Sequence, residues 1–147
     1  TLSGLLDFFP VINDNYYGLP DPTQKKDIAW IEKNTSTQAV FANSFWLYHP
    51  ASLAGRRIVL GWPYFSWSGG YDTTARDNKQ RLLYTTNEIT KTCQMIKELK
   101  ADYVTISIKI KDEATKFDLP FWQKNFPLIY ENSESGFYIF NTNACLI

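Results

Sequence analysis

Histidine and methionine are almost missing from this chain, which holds one of each, His49 and Met95, in 147 residues. One histidine and two cysteines, Cys93 and Cys145, with no CxxC pair or Cys/His cluster, leave no ligand set for a zinc site and no histidine-based triad. No metal or cofactor is therefore expected. Charge of either sign is not in excess, since Lys plus Arg and Asp plus Glu number 15 each. Nucleic acid and acidic membrane surfaces are bound mainly through concentrated positive charge, so neither is an expected partner. No run approaches the roughly 18 apolar residues of a membrane span. A signal peptide, a G-x-S-x-G elbow and the glycine patterns that cradle phosphates are also missing.

What the chain does have is aromatic surface: 16% Phe, Tyr and Trp, with five tryptophans. Hydrophobic residues at 44% and charged residues at 20% are ordinary for one globular domain of this length. Residues 1–20, apolar but broken by Gly4, Pro10 and Gly18, read as an irregular lead-in to a domain over 21–147. Asp21-Pro22 is a cap followed by a first-turn proline, predicting a helix over 22–34 with Ile28, Ala29, Trp30 and Ile31 inward. Residues 38–43 and 57–61 read as buried strands and 73–85 as a polar helix. From Asn87, Ile89, Cys93, Ile96 and Leu99 recur at helical spacing. Over 101–110, Val104, Ile106, Ile108 and Ile110 alternate with Thr105, Ser107 and Lys109, predicting a strand with one buried face. Residues 126–130 and 137–141 flank ENSESG as a β-hairpin. The order predicts an α/β layered domain: a parallel or mixed sheet flanked by helices and closed by a C-terminal antiparallel hairpin.

One segment departs from core patterning. Residues 61–77, GWPYFSWSGGYDTTARD, pack Trp62, Tyr64, Phe65, Trp67 and Tyr71 around a proline and the Gly69-Gly70 pair. That density predicts a shaped loop, the kind of segment that carries function on a scaffold. Exposed, Trp62, Tyr64, Trp67 and Tyr71 would stack on sugar rings, with Asp72 and Arg76 supplying directional hydrogen bonds. Folded back, they would plug the sheet. Asp72 and Asp77 admit a paired-carboxylate reading, but Asp72-Thr73-Thr74 at a helix start is more simply a cap. His49 lies in a loop after a strand, where α/β folds place functional groups; without a carboxylate or nucleophile partner it reads as a satisfied loop residue. Arg56-Arg57 suits a phosphate clamp or pairing with local carboxylates. Asn34-Thr35-Ser36 is a glycosylation sequon and permits a secretory setting. Cys93 reads as a buried small hydrophobe and Cys145 as part of a frayed tail; pairing them requires the C-terminus to return to the Cys93 helix.

In order, TLSGLLDFFP, then FANSFWLYHPASLAGRRIVLGWPYFSWSGGYDTTAR, then an amphipathic helix and ADYVTIS resemble the C-terminal extracytoplasmic domain of polytopic, glycosyltransferase-like membrane proteins of the GT-C type. The likeness spans most of residues 1–140 and rests on the block 49–76. It implies a piece of a longer protein, with the 1–20 lead-in following a membrane span and the domain on the extracytoplasmic side. It implies that the catalytic carboxylates lie in the membrane half, so that this domain caps or shapes a membrane-embedded site. Its partners would be that membrane-embedded part of the parent chain and a lipid-linked sugar or glycan acceptor. Where the family often places a histidine after Trp-Ser, this chain has Gly69 after Ser68, so no role for that position carries over. The resulting expectation is a non-catalytic accessory domain with His49, Trp62, Tyr64, Trp67, Tyr71, Asp72 and Arg76 as candidate ligand contacts. The alternatives are a secreted carbohydrate-binding module and a small hydrolase using Asp72 or Asp77.

Overall fold

A computed structural model describes residues 24–43, 48–109 and 117–146. The lead-in over 1–20, the Asp21-Pro22 cap and Ile110 lie outside the described residues. Five strands, β1 (Val40–Ala42), β2 (Arg57–Ile58), β3 (Tyr103–Ser107), β4 (Leu128–Asn132) and β5 (Phe137–Asn141), form one sheet in the order β2-β1-β3-β5-β4. β1 runs parallel to β2 and β3, and β5 runs antiparallel to β3 and β4. Helices α1 (Lys25–Asn34) and α2 (Pro50–Leu53) cover one face. On the other lie α4 (Thr74–Thr85), α5 (Ile89–Leu99) and α6 (Leu119–Asn125). A short helix, α3 (Pro63–Ser68), stands between β2 and α4 in the chain. The mixed α/β sheet with its C-terminal hairpin is the architecture expected from the element order.

Two cores follow from the strand pleat. Val104, Ile106 and Phe140 face α4 to α6, where Leu83, Ile96 and Trp122 are buried. Phe41, Phe137 and Ile139 face Ile31 of α1 and Ala51 of α2. β3 is therefore covered on both faces, against the expectation of a single buried face. Thr105 and Ser107 are only 2% and 5% exposed. Thr105 tolerates burial because its hydroxyl donates to the Ala42 carbonyl at 3.1 Å and its own carbonyl accepts the Tyr84 hydroxyl at 2.8 Å. An alternation of apolar residues with threonine and serine thus marks a polar-lined second core, not a solvated face.

Several local readings change for similar reasons. α1 begins at Lys25, with Gln24 at its cap position, and buries Asp27 and Ile31 while Ala29 faces solvent. Asp27 accepts from the Tyr130 hydroxyl at 2.9 Å and from Asn132 Nδ2 at 2.6 Å, and Trp30 stacks on Tyr130 at 4.7 Å. The Arg56 guanidinium takes up the carbonyls that α1 leaves open, donating to Glu32 O at 2.8 Å and Thr35 O at 3.1 Å. It is a helix C-terminal cap, neither phosphate clamp nor carboxylate partner. The cap position of α5 falls on Glu88 rather than Asn87, and its buried side chains are Thr92, Met95 and Ile96. β2 keeps only two residues of the span expected over 57–61, although the Val59 N–H still reaches Phe41 O at 2.9 Å. Gly136, at φ +67°, closes the hairpin; a Cβ there would meet Ile108 Cγ1 at 2.7 Å.

The two cysteines form a disulfide, Cys93–Cys145, with Cα atoms 5.1 Å apart and a sequence separation of 52. A 3₁₀ turn over Asn143–Leu146 brings the end of the chain back onto α5. Cys93 is thus no lone hydrophobe, and Cys145 is 3% exposed rather than frayed. α6, unmarked in the sequence reading, starts at Asp118, whose carboxylate accepts the Phe121 N–H at 3.1 Å, with a proline in its first turn. It seats Trp122, fully buried between Phe126 (centroids 4.6 Å) and Phe140 (5.9 Å). Trp122→Ala is expected to cost about 3–5 kcal/mol, read from urea midpoints. Removing the disulfide with Cys93→Ala and Cys145→Ala is expected to cost about 2–5 kcal/mol. A loss below 1 kcal/mol in either case contradicts the packing described.

Candidate functional site

The segment predicted as a loop contains a helix. Pro63 presets φ for the first turn of α3, and Gly69-Gly70 stop it after Ser68. Gly70 adopts φ +82°, letting its N–H reach Trp67 O at 2.9 Å and the Tyr71 N–H reach Ser66 O at 3.0 Å. The proline and glycines that argued against a helical period are its start and stop signals. One and a half turns suffice to fan the aromatics outward. Trp62, Tyr64, Phe65, Trp67 and Tyr71 are 48%, 58%, 63%, 67% and 73% exposed. Tyr64 touches Trp67 and Phe65, with ring centroids 6.0 and 6.5 Å apart. The plug reading is thereby set aside: these rings form a platform on the surface.

The platform is tied down at its C-terminal side. Arg76 Nη1 donates to the Val59 carbonyl at 3.2 Å, linking α4 to the end of β2. The Asp72 carboxylate accepts the Thr74 N–H at 2.9 Å, and that hydrogen bond holds it below the usual carboxylate range. Asp77 is engaged by Arg81 Nε at 2.9 Å, one turn along α4. Asp72 thus shapes the helix start, as its Asp-Thr-Thr setting suggested. Beside it runs a groove of about 540 Å³, a ligand-sized volume. Ile58, Val59 and Leu99 supply apolar lining, and Arg57, Arg76, Lys79 and Lys100 bring positive charge. Arg76 and Asp72 line the groove and follow the aromatic segment directly in sequence. Lys79, Glu98 and Lys100 were absent from the sequence-derived set. Arg76 and Lys79, three apart, share one face of α4 and were legible by spacing, and Asp72 lies just before that helix; the approach of the α5 end was not.

His49 is not part of this surface. It is 1% exposed and caps α2, its Nδ1 accepting the Ala51 N–H at 3.2 Å. Nδ1 is therefore the unprotonated nitrogen. Nε2 carries the proton and donates to Thr105 Oγ1 at 2.9 Å. Both ring nitrogens are committed inside the fold, as expected of a satisfied residue, and burial lowers the histidine pKa to about 3. Among the described residues no three His, Cys, Asp or Glu side chains gather where a metal ion would sit.

The chain is similar to a solved structure, the C-terminal globular domain of an oligosaccharyltransferase from Archaeoglobus fulgidus. They share 13% identity over 82% of this chain and 97% of that domain, with a TM-score of 0.54. The likeness is one of fold. No family model and no curated protein matches the sequence. Among the described residues no helix is long and apolar enough to cross a membrane.

The buried histidine makes stability depend on pH with a definite sign. Its folded pKa of about 3 lies below the ordinary 6.5, so the unfolded chain binds the extra proton between these values. This contribution is complete above the ordinary value and is lost as pH falls toward the folded one. From neutral pH to pH 5 the loss is expected to be about 2 kcal/mol, measured by urea unfolding. His49→Asn keeps a capping oxygen and removes this part of the pH dependence; an unchanged pH profile in that variant rejects the assignment.

Proposed function

We propose that this chain is the extracytoplasmic, non-catalytic accessory domain of a glycosyltransferase-like membrane protein. Its aromatic platform contacts a glycan acceptor or a lipid-linked sugar. The observation that carries this reading is the platform itself. Five aromatic side chains stand out from the surface, three on a helix too short to need them for its own folding and Trp62 and Tyr71 flanking it, with no charged residue from Gly61 to Tyr71. Exposed aromatic patches of this kind mark binding surfaces, and flat rings with Trp N–H and Tyr O–H at their edges suit the apolar faces and hydroxyls of sugars.

Three further features support it. The fold is similar to a domain of an oligosaccharyltransferase, an enzyme that acts on glycans by its name. The Cys93–Cys145 disulfide suits an oxidising compartment. Asp72 and Asp77, the carboxylates nearest the platform in sequence, are occupied by the Thr74 amide and by Arg81, which suits a structural rather than an acid/base role. The membrane-embedded part of the parent protein would supply the catalytic groups, and the platform would hold the sugar or acceptor against it. With the chain in detergent micelles, adding a polyprenyl-phosphate-linked sugar is expected to change tryptophan fluorescence. Trp62→Ala with Trp67→Ala should weaken that binding at least tenfold without lowering Tm. An unchanged spectrum, or sugar transfer or hydrolysis by the chain alone, sinks the proposal; tight binding of soluble oligosaccharides without the lipid moves it to a carbohydrate-binding module.

A further inference from the structure

We infer that the groove beside the platform is an oxyanion subsite, so that the sugar taken by the aromatics is an acidic one, carrying a phosphate or a carboxylate. This rests on the platform reading and names the substrate class for the same site. The groove's charge is unbalanced in one direction. Arg57, Arg76, Lys79 and Lys100 line it against two carboxylates, Asp72 and Glu98. Each of those carboxylates is already met within the fold. Asp72 takes the Thr74 N–H at 2.9 Å, while Glu98 takes Lys79 Nζ at 2.8 Å and Gln94 Nε2 at 2.9 Å. None of the ion pairs among the described residues involves Arg57, Arg76 or Lys100. Among the described residues the Arg57 side chain reaches only the Gln38 amide oxygen and the Arg76 side chain only the Val59 carbonyl. Three cations thus stand around a partly apolar groove with no anion assigned to them.

The placement suits a ligand that spans both features. Asp72 follows Tyr71 directly, and Arg76 holds the carbonyl of Val59, three residues before Trp62. The groove's residues thus adjoin the ring-bearing segment at both of its ends, the connection by which one ligand would engage rings and cations together. The guanidinium offers paired donors that match the oxygens of a phosphate or a carboxylate, and Ile58, Val59 and Leu99 keep part of the groove's lining apolar, which strengthens such contacts. Lys100 ends α5 in the left-handed region at φ 53°, a position that favours glycine or asparagine. A lysine nevertheless stands there and lines the groove.

The test compares three probes that share one ring, namely glucose, glucuronate and glucose 1-phosphate, titrated into the ¹⁵N-labelled 147-residue chain. Glucuronate or glucose 1-phosphate is expected to bind about tenfold more tightly than glucose, shifting the Arg57, Arg76 and Lys100 amides. Whichever binds better names the anion. Arg57→Gln with Lys100→Asn, the latter suited to the left-handed backbone, should erase that advantage while leaving glucose binding intact. Equal binding of all three probes, or shifts confined to other surfaces, overturns the subsite. Failure of the platform looks different: Trp67→Ala then leaves the three affinities unchanged, whatever the charge variants do.

Discussion

Thr105, in the middle of β3, joins all three layers of the fold. Its hydroxyl donates to Ala42 of β1 and accepts from His49, which caps α2 on one face of the sheet. Its carbonyl accepts the hydroxyl of Tyr84 from α4, which packs on the other face. Each group in this chain is buried, so each bond replaces one that water would otherwise provide, and loss of a single partner leaves a desolvated donor or acceptor behind. The position of α2 against the sheet, the tautomer of His49 and the seating of α4 all follow from it. Through α4 the same constraint extends to Arg76, which fixes the end of β2 and with it the start of the aromatic segment.

The fold class was legible because element order and apolar runs are local properties. β3 and the C-terminal hairpin lie close to where the alternation and the ENSESG turn placed them, although β3 ends at Ser107, leaving Ile108 exposed, and β4 runs on to Asn132. Features that needed knowledge of the partner were misread. Thr105 and Ser107 have the same period whether they face water or a polar-lined core, and only His49 and Ala42, distant in sequence, decide between the two. Arg56 offered no local sign that it would close the end of α1, more than twenty positions earlier. Cys93 and Cys145 pair because the last turn folds back on α5, a tertiary event that spacing does not report.

At the candidate site the location was legible and the shape was not. The crowding of rings between Trp62 and Tyr71 marks the segment, but Pro63 and Gly69-Gly70, which by composition argue against a helical period, delimit a short helix. Exposure of the rings could not be read either, since a Trp-rich segment serves equally as a core plug. The cation-lined groove draws on β2, α4 and the end of α5, so most of its membership appears only once those elements are packed. His49 is the single histidine, yet that scarcity reflects nothing about a ligand: it is a buried capping residue.

The shortness of β2 has a bearing on how this domain behaves when crowded. A surface carrying so many exposed rings invites self-association, and an open sheet edge beside it would turn that attraction into strand addition. Here the edge nearest the platform offers two residues, with the exposed Arg57 among them and the Arg76 side chain on the adjoining carbonyl. The opposite edge strand, β4, carries a register shift between Leu128 and Tyr130 that interrupts its regular spacing. Neither margin of the sheet therefore offers a long, regular template on which copies could build a continuous ladder.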